Sequence, residues 1–207
     1  IGFGGRVLAD GTPKYLNTPE TPVYSKSRSL FGIHQGRAHC RSSREVYIVE
    51  GYLDLIALHQ HGIRNAVATL GTALTADHVR QIRGLIGEHG RTVLLFDSDD
   101  AGINAARRSI GVFAAEFVDA RYVVLPSGYD PDTFVFEFGA ERLLAEAREA
   151  KPAVPFLLDR AVGAYGLTNE GRIKILADLA EPLAAVVDPV ARSLYIREVA
   201  ERTGVEE

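Results

Sequence analysis

Methionine is absent from all 207 residues, position 1 included. The chain is therefore expected to be an excised piece of a longer protein, with IGFGGRVL at its start belonging to a sheet that is partly missing. Cysteine is almost absent too. Cys40 is the only one, which excludes an internal disulfide framework and a multi-cysteine zinc site, so no zinc is expected and a reducing, cytosolic setting fits. Its surroundings, RAHCRSS, read as a loop, and His39 beside it makes no metal site. No apolar run approaches the roughly 18–20 residues that cross a bilayer, and there is no secretory leader, so no membrane partner is expected. Lysine is missing between Lys26 and Lys151, where a receiver domain would need one. A Gly-x-x-x-x-Gly-Lys-Ser/Thr loop is missing as well, which argues against P-loop nucleotide hydrolysis.

What is present is unevenly charged. The net charge is −4, but seven Lys/Arg against Asp10 and Glu20 give residues 1–44 a charge of +5, leaving −9 on the rest. A basic arm beside an acidic body needs an explanation.

The arm, residues 1–44, is rich in Gly, Pro, Ser and Arg, with short strand-like pieces at 3–8 and 13–16. From Glu45 the pattern becomes regular. EVYIVE (45–50), NAVATLG (65–71), TVLLFD (92–97) and ARYVVLP (120–126) read as strands. Helices are predicted over 52–62, stopped by Gly62, over 75–90, with Thr75 as N-cap and Asp77 in the first turn, and over 103–117. Strands alternating with helices of this length indicate a mostly parallel α/β sheet covered on both faces. From about 133 the pattern is helical, with breaks at Pro152, Gly166, Pro182 and Pro189. The division is 1–44, 45–132 and 133–207.

Ligands of parallel α/β sheets sit at the carboxyl ends of the strands, and here three strands end in acid. Glu50 closes the first, Asp97 and Asp99 the third, and Asp130 and Asp132 follow the fourth. Residues two apart in an extended chain point the same way, so each Asp pair can aim two carboxylates at one ion, the second stiffened by Pro131. Asp54 lies one helical turn after Glu50 on the same face. Acids after strands also serve as helix caps, but three such groups on successive units would repel one another without cations. Oxygen-only ligands favour Mg²⁺ or Mn²⁺, which polarise phosphoryl oxygens. A dehalogenase-type phosphatase wants its Asp-x-Asp on the first strand, followed by Thr, unlike FDSDDAG.

In the arm, Arg6, Lys14 and Lys26 sit with Tyr15 and Tyr24 where cations meet phosphates and rings meet bases. Surface lysines are the competing reading. TLGTALT offers either backbone N–H groups to an anion or only a tight turn at Gly71. The histidines, His34, His59, His61, His78 and His89 among them, share no ligand spacing and are expected at the surface or partly packed. Arg107 and Arg108 are expected on a solvated helix face.

VEGYLD with FDSDDAG resembles a Toprim domain. With IGFGGRVL…PKYLNTPETPVYSKSRSLFGI, ATLGTALT, DPDTF and ARSLYIREVAERTGV, nearly the whole chain resembles the catalytic core of DnaG-type bacterial primases. The resemblance implies a DNA-dependent RNA polymerase that makes short RNA primers on single-stranded DNA from ribonucleoside triphosphates, in the bacterial cytoplasm at the replication fork. It implies Glu50, Asp97 and Asp99 as catalytic acids or ligands of two or more Mg²⁺ or Mn²⁺ ions, with Asp54, Asp130 and Asp132 in the same cluster. Arg6, Lys14, Asn17 and Lys26 match its nucleotide- and template-facing motif. The family's zinc domain and its helicase-binding domain are expected to lie outside this chain, so the replicative helicase is a partner through an absent domain. A Toprim nuclease or topoisomerase, and a non-catalytic DNA-binding module, are the alternatives. Against the last stands the full set of acids, which a pure binder of phosphates would do better without.

Overall fold

The structure, a computed structural model, describes residues 1–6, 15–96, 100–116, 118 and 120–205. A short hairpin comes first, β1 (Gly4–Arg6) antiparallel to β2 (Tyr15–Asn17), with Gly4 opposite Asn17. A 3₁₀ turn follows at Lys26–Arg28, then helix α1 (Ile33–Ser43).

The regular part alternates as the apolar pattern requires. β3 (Glu45–Val49), α2 (Tyr52–Gln60), β4 (Ala66–Ala68), α3 (Ala76–Ile86), β5 (Arg91–Phe96), α4 (Asp100–Ala115) and β6 (Ala120–Val124) succeed one another. Then come α5 (Pro131–Arg148), a two-residue β7 (Lys151–Pro152) and three helices, α6 (Ala153–Tyr165), α7 (Asn169–Ala185) and α8 (Pro189–Thr203). The sheet runs β4-β3-β5-β6-β7, parallel except for β7. The chain steps outward from β3 to β4, then crosses back to β5, so the switch point lies between β3 and β5.

Strand periodicity assigns the two faces. Val46, Ile48, Leu94 and Phe96 join one core with residues of α3, α4, α6 and α7. Tyr47, Val49, Val93 and Leu95 join the other with residues of α2 and α5. Tyr122 is buried between Phe96 and Phe156, with ring centroids 6.1 and 5.4 Å away, and so fastens α6 to the sheet. Such stacking contributes about 0.5–1.5 kcal/mol per pair beyond burial.

The two edges of the sheet end differently. Phe31 exchanges two backbone hydrogen bonds with Ala68 of β4, at 2.9 and 3.0 Å. At the other edge β7 pairs with Arg121 and Tyr122 of β6.

Four expectations need correction. RAHCRSS is not a loop but the second half of α1, whose inner face is made of small residues. Gly36 and Cys40 are its buried members, and a Cβ on Gly36 would meet the carbonyl oxygens of Arg64 at 2.9 Å and Ala66 at 3.1 Å. A helix that packs through Gly and Cys carries no bulky apolar stripe to detect. α3 stops at Ile86, four residues early, because Gly87 leaves the helix at φ 78°, ψ 177°. Pro182 does not break α7; it is buried and sits near the end, where one backbone donor is lost. α5 begins at Pro131, not near 133, and is itself interrupted at Gly139, φ 80°.

Candidate active site

Asp54 stands at the third position of α2, and its two oxygens have separate tasks. Oδ2 accepts the N–H of the N-cap residue Gly51 at 3.1 Å, and Oδ1 accepts the N–H of Asp132 at 3.3 Å. This carboxylate therefore joins the start of α2 to the start of α5, on the sheet face those helices cover. Glu50 precedes the N-cap, so the one-turn relation to Asp54 expected from spacing does not hold.

Asp130 and Asp132 are likewise not an extended pair. Asp130 is the N-cap of α5, accepting the Thr133 N–H at 3.1 Å, while Asp132 lies in the helix's first turn. The capping alternative is thus realised at Asp130, yet the acids still converge. Asp54, Asp130 and Asp132 each offer an oxygen within 4.8 Å of the others. Burial pushes the Asp130 carboxyl up, but hydrogen bonds from Asp132 and Thr133 outweigh it and leave it below the ordinary aspartate value. Were all three ionised, carboxylates this close would repel by about 3 kcal/mol per pair at an effective dielectric of about 20, which is why Asp130 and Asp132 share a proton in the absence of a cation. An all-oxygen, half-open donor set of this kind fits a hard divalent cation that keeps part of its water.

Glu50 is half-buried at the end of β3 and opens on the other side, onto a cavity of about 180 Å³. Thr69, Gly71, Thr72, Phe96, Arg108 and Ser109 share its lining. Asp97 and Asp99, which follow Phe96 directly in sequence, lie outside the described residues, as does Lys14; the side chain of Arg6 does too.

The loop after β4 is strained. Leu70 and Gly71 are consecutive left-handed residues, φ 64° and 68°. A non-glycine residue there costs on the order of 1–3 kcal/mol, and fixed partners hold it in place. Thr69 N–H donates to Val49 O at 3.2 Å, the Thr72 hydroxyl to Thr69 O at 2.7 Å, and Asn17 Nδ2 to Leu70 O at 2.9 Å. Asn17 Oδ1 also accepts from the Tyr52 hydroxyl. Gly71 thus supplies a turn, and Asn17 ties the hairpin to it.

Lys26 is half-exposed on the 3₁₀ turn. Its N–H donates to Glu20 Oε1 at 2.8 Å, and its carbonyl faces His78 Nε2 at 3.0 Å. Against expectation His78 is fully buried. Burial lowers its pKa below 6.5, with carbonyl contacts from Lys26 and Ser29 opposing. Arg107 pairs with Asp178 at 3.2 Å, leaving Arg108 as the cavity-lining cation of that pair. The Thr75-x-x-His78 spacing of a capping box was the one available signal for His78; nothing in sequence marked Arg108. Cys40 is buried, and burial pushes its thiol up to about 11.

Three family models match: Toprim-like over residues 47–135, the N-terminal domain of the DNA primase catalytic core over 1–37, and the DnaB-helicase binding domain of primase over 156–207. The DNA primase of Clostridium acetobutylicum is 36% identical over 208 residues, covering all of this chain and 34% of the relative. The RNA polymerase domain of Mycobacterium tuberculosis primase DnaG, solved with double-stranded DNA, is 31% identical with a TM-score of 0.80, covering 99% of this chain and 67% of that one. A DnaG primase catalytic domain bound to single-stranded DNA is 34% identical, TM-score 0.77, covering 97% and 65%. The chain spans about a third of the length of the curated relatives it matches. No described helix is long and apolar enough to cross a membrane.

Proposed function

The chain belongs to the DnaG-type DNA primases and matches their catalytic core, and from that premise we propose that it carries the nucleotidyl-transfer site of a DNA-dependent RNA polymerase. It would extend short RNA primers from ribonucleoside triphosphates on single-stranded DNA during replication. The observation that carries this is the convergence of Asp54, Asp130 and Asp132 within 4.8 Å beside the switch point of a Toprim-type sheet.

In that arrangement residues 45–132 supply the acids, 1–44 the basic arm and 133–207 the helical flank. Glu50, Asp97 and Asp99 are the catalytic acids, and with Asp54, Asp130 and Asp132 they would hold two or more Mg²⁺ or Mn²⁺ ions. Bound there, the ions would offset the charge of a triphosphate and lower the pKa of the primer hydroxyl. The protein's own share is positioning. Glu50 borders a cavity lined by apolar residues (Ile48, Leu94, Phe96) and polar ones (Thr69, Thr72, Arg108). Arg6, Lys14 and Lys26 would neutralise phosphates of nucleotide or template, and Asn17 keeps the Leu70 turn in place through its bond to Leu70 O. DNA-bound relatives support the template assignment. The helicase-binding model over 156–207 supports a helicase contact on α6–α8, rather than in a separate domain as sequence alone suggested. The setting would be the cytoplasm.

The test is ribonucleotide incorporation on a single-stranded template with Mg²⁺ or Mn²⁺, in a primase carrying this chain with Glu50→Gln. Synthesis should fall to background with unchanged melting. Near-parent synthesis would reduce Glu50 to a strand-end residue.

A further inference from the structure

The Lys26–Arg28 turn is held from its own arm by little more than the Lys26 N–H bond to Glu20. It has no side-chain cap and buries none of its three residues. Three side chains from about fifty residues away take its successive carbonyls. His78 Nε2 meets Lys26 O at 3.0 Å, the Thr75 hydroxyl donates to Ser27 O at 2.6 Å, and Gln81 Nε2 donates to Arg28 O at 2.7 Å. Positions 75, 78 and 81 recur every three residues, so they form one stripe along the first turns of α3.

The His78 tautomer follows from its neighbours. Nδ1 lies 3.3 Å from the Thr75 N–H, which can only donate. Nδ1 must therefore carry a lone pair and Nε2 the proton, which it gives to the Lys26 carbonyl. Thr75 in turn accepts the His78 N–H at 3.2 Å as helix cap, so the stripe is locked to the backbone at its root. Just before it, Thr69–Leu74 shapes the cavity that Glu50 borders. One stretch of chain, 69–81, thus builds a wall of the cavity and grips the basic turn.

We propose that Thr75, His78 and Gln81 are positioning residues that hold Lys26 and Arg28 in register with the Glu50 cavity, so that the two cations meet phosphate groups at a fixed offset from it. This rests on the polymerase assignment above. The shared chemistry is phosphate, from either the template strand or a triphosphate.

The experiment uses a primase carrying this chain, read by anisotropy of labelled single-stranded DNA and, separately, by titration with a ribonucleoside triphosphate. Lys26→Ala and Arg28→Ala test the assignment itself. Gln81→Met keeps the side-chain length but loses the donor, and should weaken one of the two ligands by about three- to tenfold, with melting lowered by no more than a few degrees. Thr75→Val should weaken the same ligand and, because it also removes the α3 cap, melt lower, while Thr75→Ser should restore both. The decisive readout is a double-mutant cycle, because in the Arg28→Ala background Gln81→Met should add nothing. The arm that moves identifies the source of the phosphate. If Lys26→Ala and Arg28→Ala leave both ligands unaffected, the role of the basic arm falls and this inference with it. If they weaken binding while Gln81→Met and Thr75→Val do not, or if the cycle is additive, only the positioning role is overturned.

Discussion

Replacing Asp54 with Asn separates a metal site from a structural cap, because the two roles predict different melting patterns. In chelator, Asp54→Asn removes repulsion against two neighbours within 4.8 Å. That repulsion is about 3 kcal/mol per pair as a ceiling and about 1 for groups this open to solvent. Against this stands one lost acceptor, since an amide oxygen still takes one of the two N–H groups that Asp54 now serves, while the amide NH₂ takes none. A charge-assisted hydrogen bond is worth about 1.5–3 kcal/mol. The two effects nearly cancel, and the metal-free variant should melt within a few degrees of the parent. In divalent ion the two should diverge. With a dissociation constant on the order of 1 mM, 10 mM Mg²⁺ stabilises the parent by RT ln 11, about 1.4 kcal/mol, which for a chain of this size is about 3–6 °C. Asp54→Asn should lose most of that increment. Differential scanning fluorimetry in EDTA and in 10 mM Mg²⁺, with Mn²⁺ calorimetry beside it, measures both. An equal Mg²⁺ increment in the two proteins, with Asp54→Asn melting lower in both buffers, would make Asp54 a helix cap and refute the metal assignment.

Replacing Lys14 and Lys26 with Ala should weaken single-stranded DNA binding across sequences and flatten its log–log salt slope by about 1–1.5; anisotropy over a salt series checks it. The folded protein binds fewer protons at His78 than the unfolded chain, so stability should hold above pH 6.5 and decline as the pH falls below it. His78→Asn should flatten that decline in urea unfolding at pH 7.5, 6.5 and 5.5. Cys40, fully buried and with its thiol raised to about 11, should resist a thiol reagent at pH 8 until denaturant is added. Tyr122→Phe should cost about 1 kcal/mol in urea unfolding, because the Ser109 hydroxyl loses its 2.8 Å partner.

The sheet was legible because its strands are short apolar runs, EVYIV and RTVLLF, set between helices of standard length. Asp54, Asp130 and Asp132, which converge, were legible as acids that follow the strands EVYIV and ARYVV within a few residues. Their mutual geometry was not. Spacing rules assume one conformation across the pair, and a helix begins between Glu50 and Asp54 and again between Asp130 and Asp132. α1 was invisible for a different reason, since its buried side is Gly36 and Cys40 and its contact is made by backbone. His78 was misjudged because its partners are carbonyls fifty residues upstream, and a carbonyl has no identity in sequence.

Phe31, described above as the partner of Ala68, bears on how this protein behaves at high concentration. A parallel sheet that ends in an open strand can recruit a second molecule, and Phe31 occupies that position with two backbone hydrogen bonds. The opposite border is too short to template anything, being Lys151 and Pro152, one charged and one without an N–H. Colloidal behaviour therefore depends on the same arm that carries the cations. Detaching residues 15–31 would expose β4, and a Phe31→Pro protein should form aggregates before it loses secondary structure.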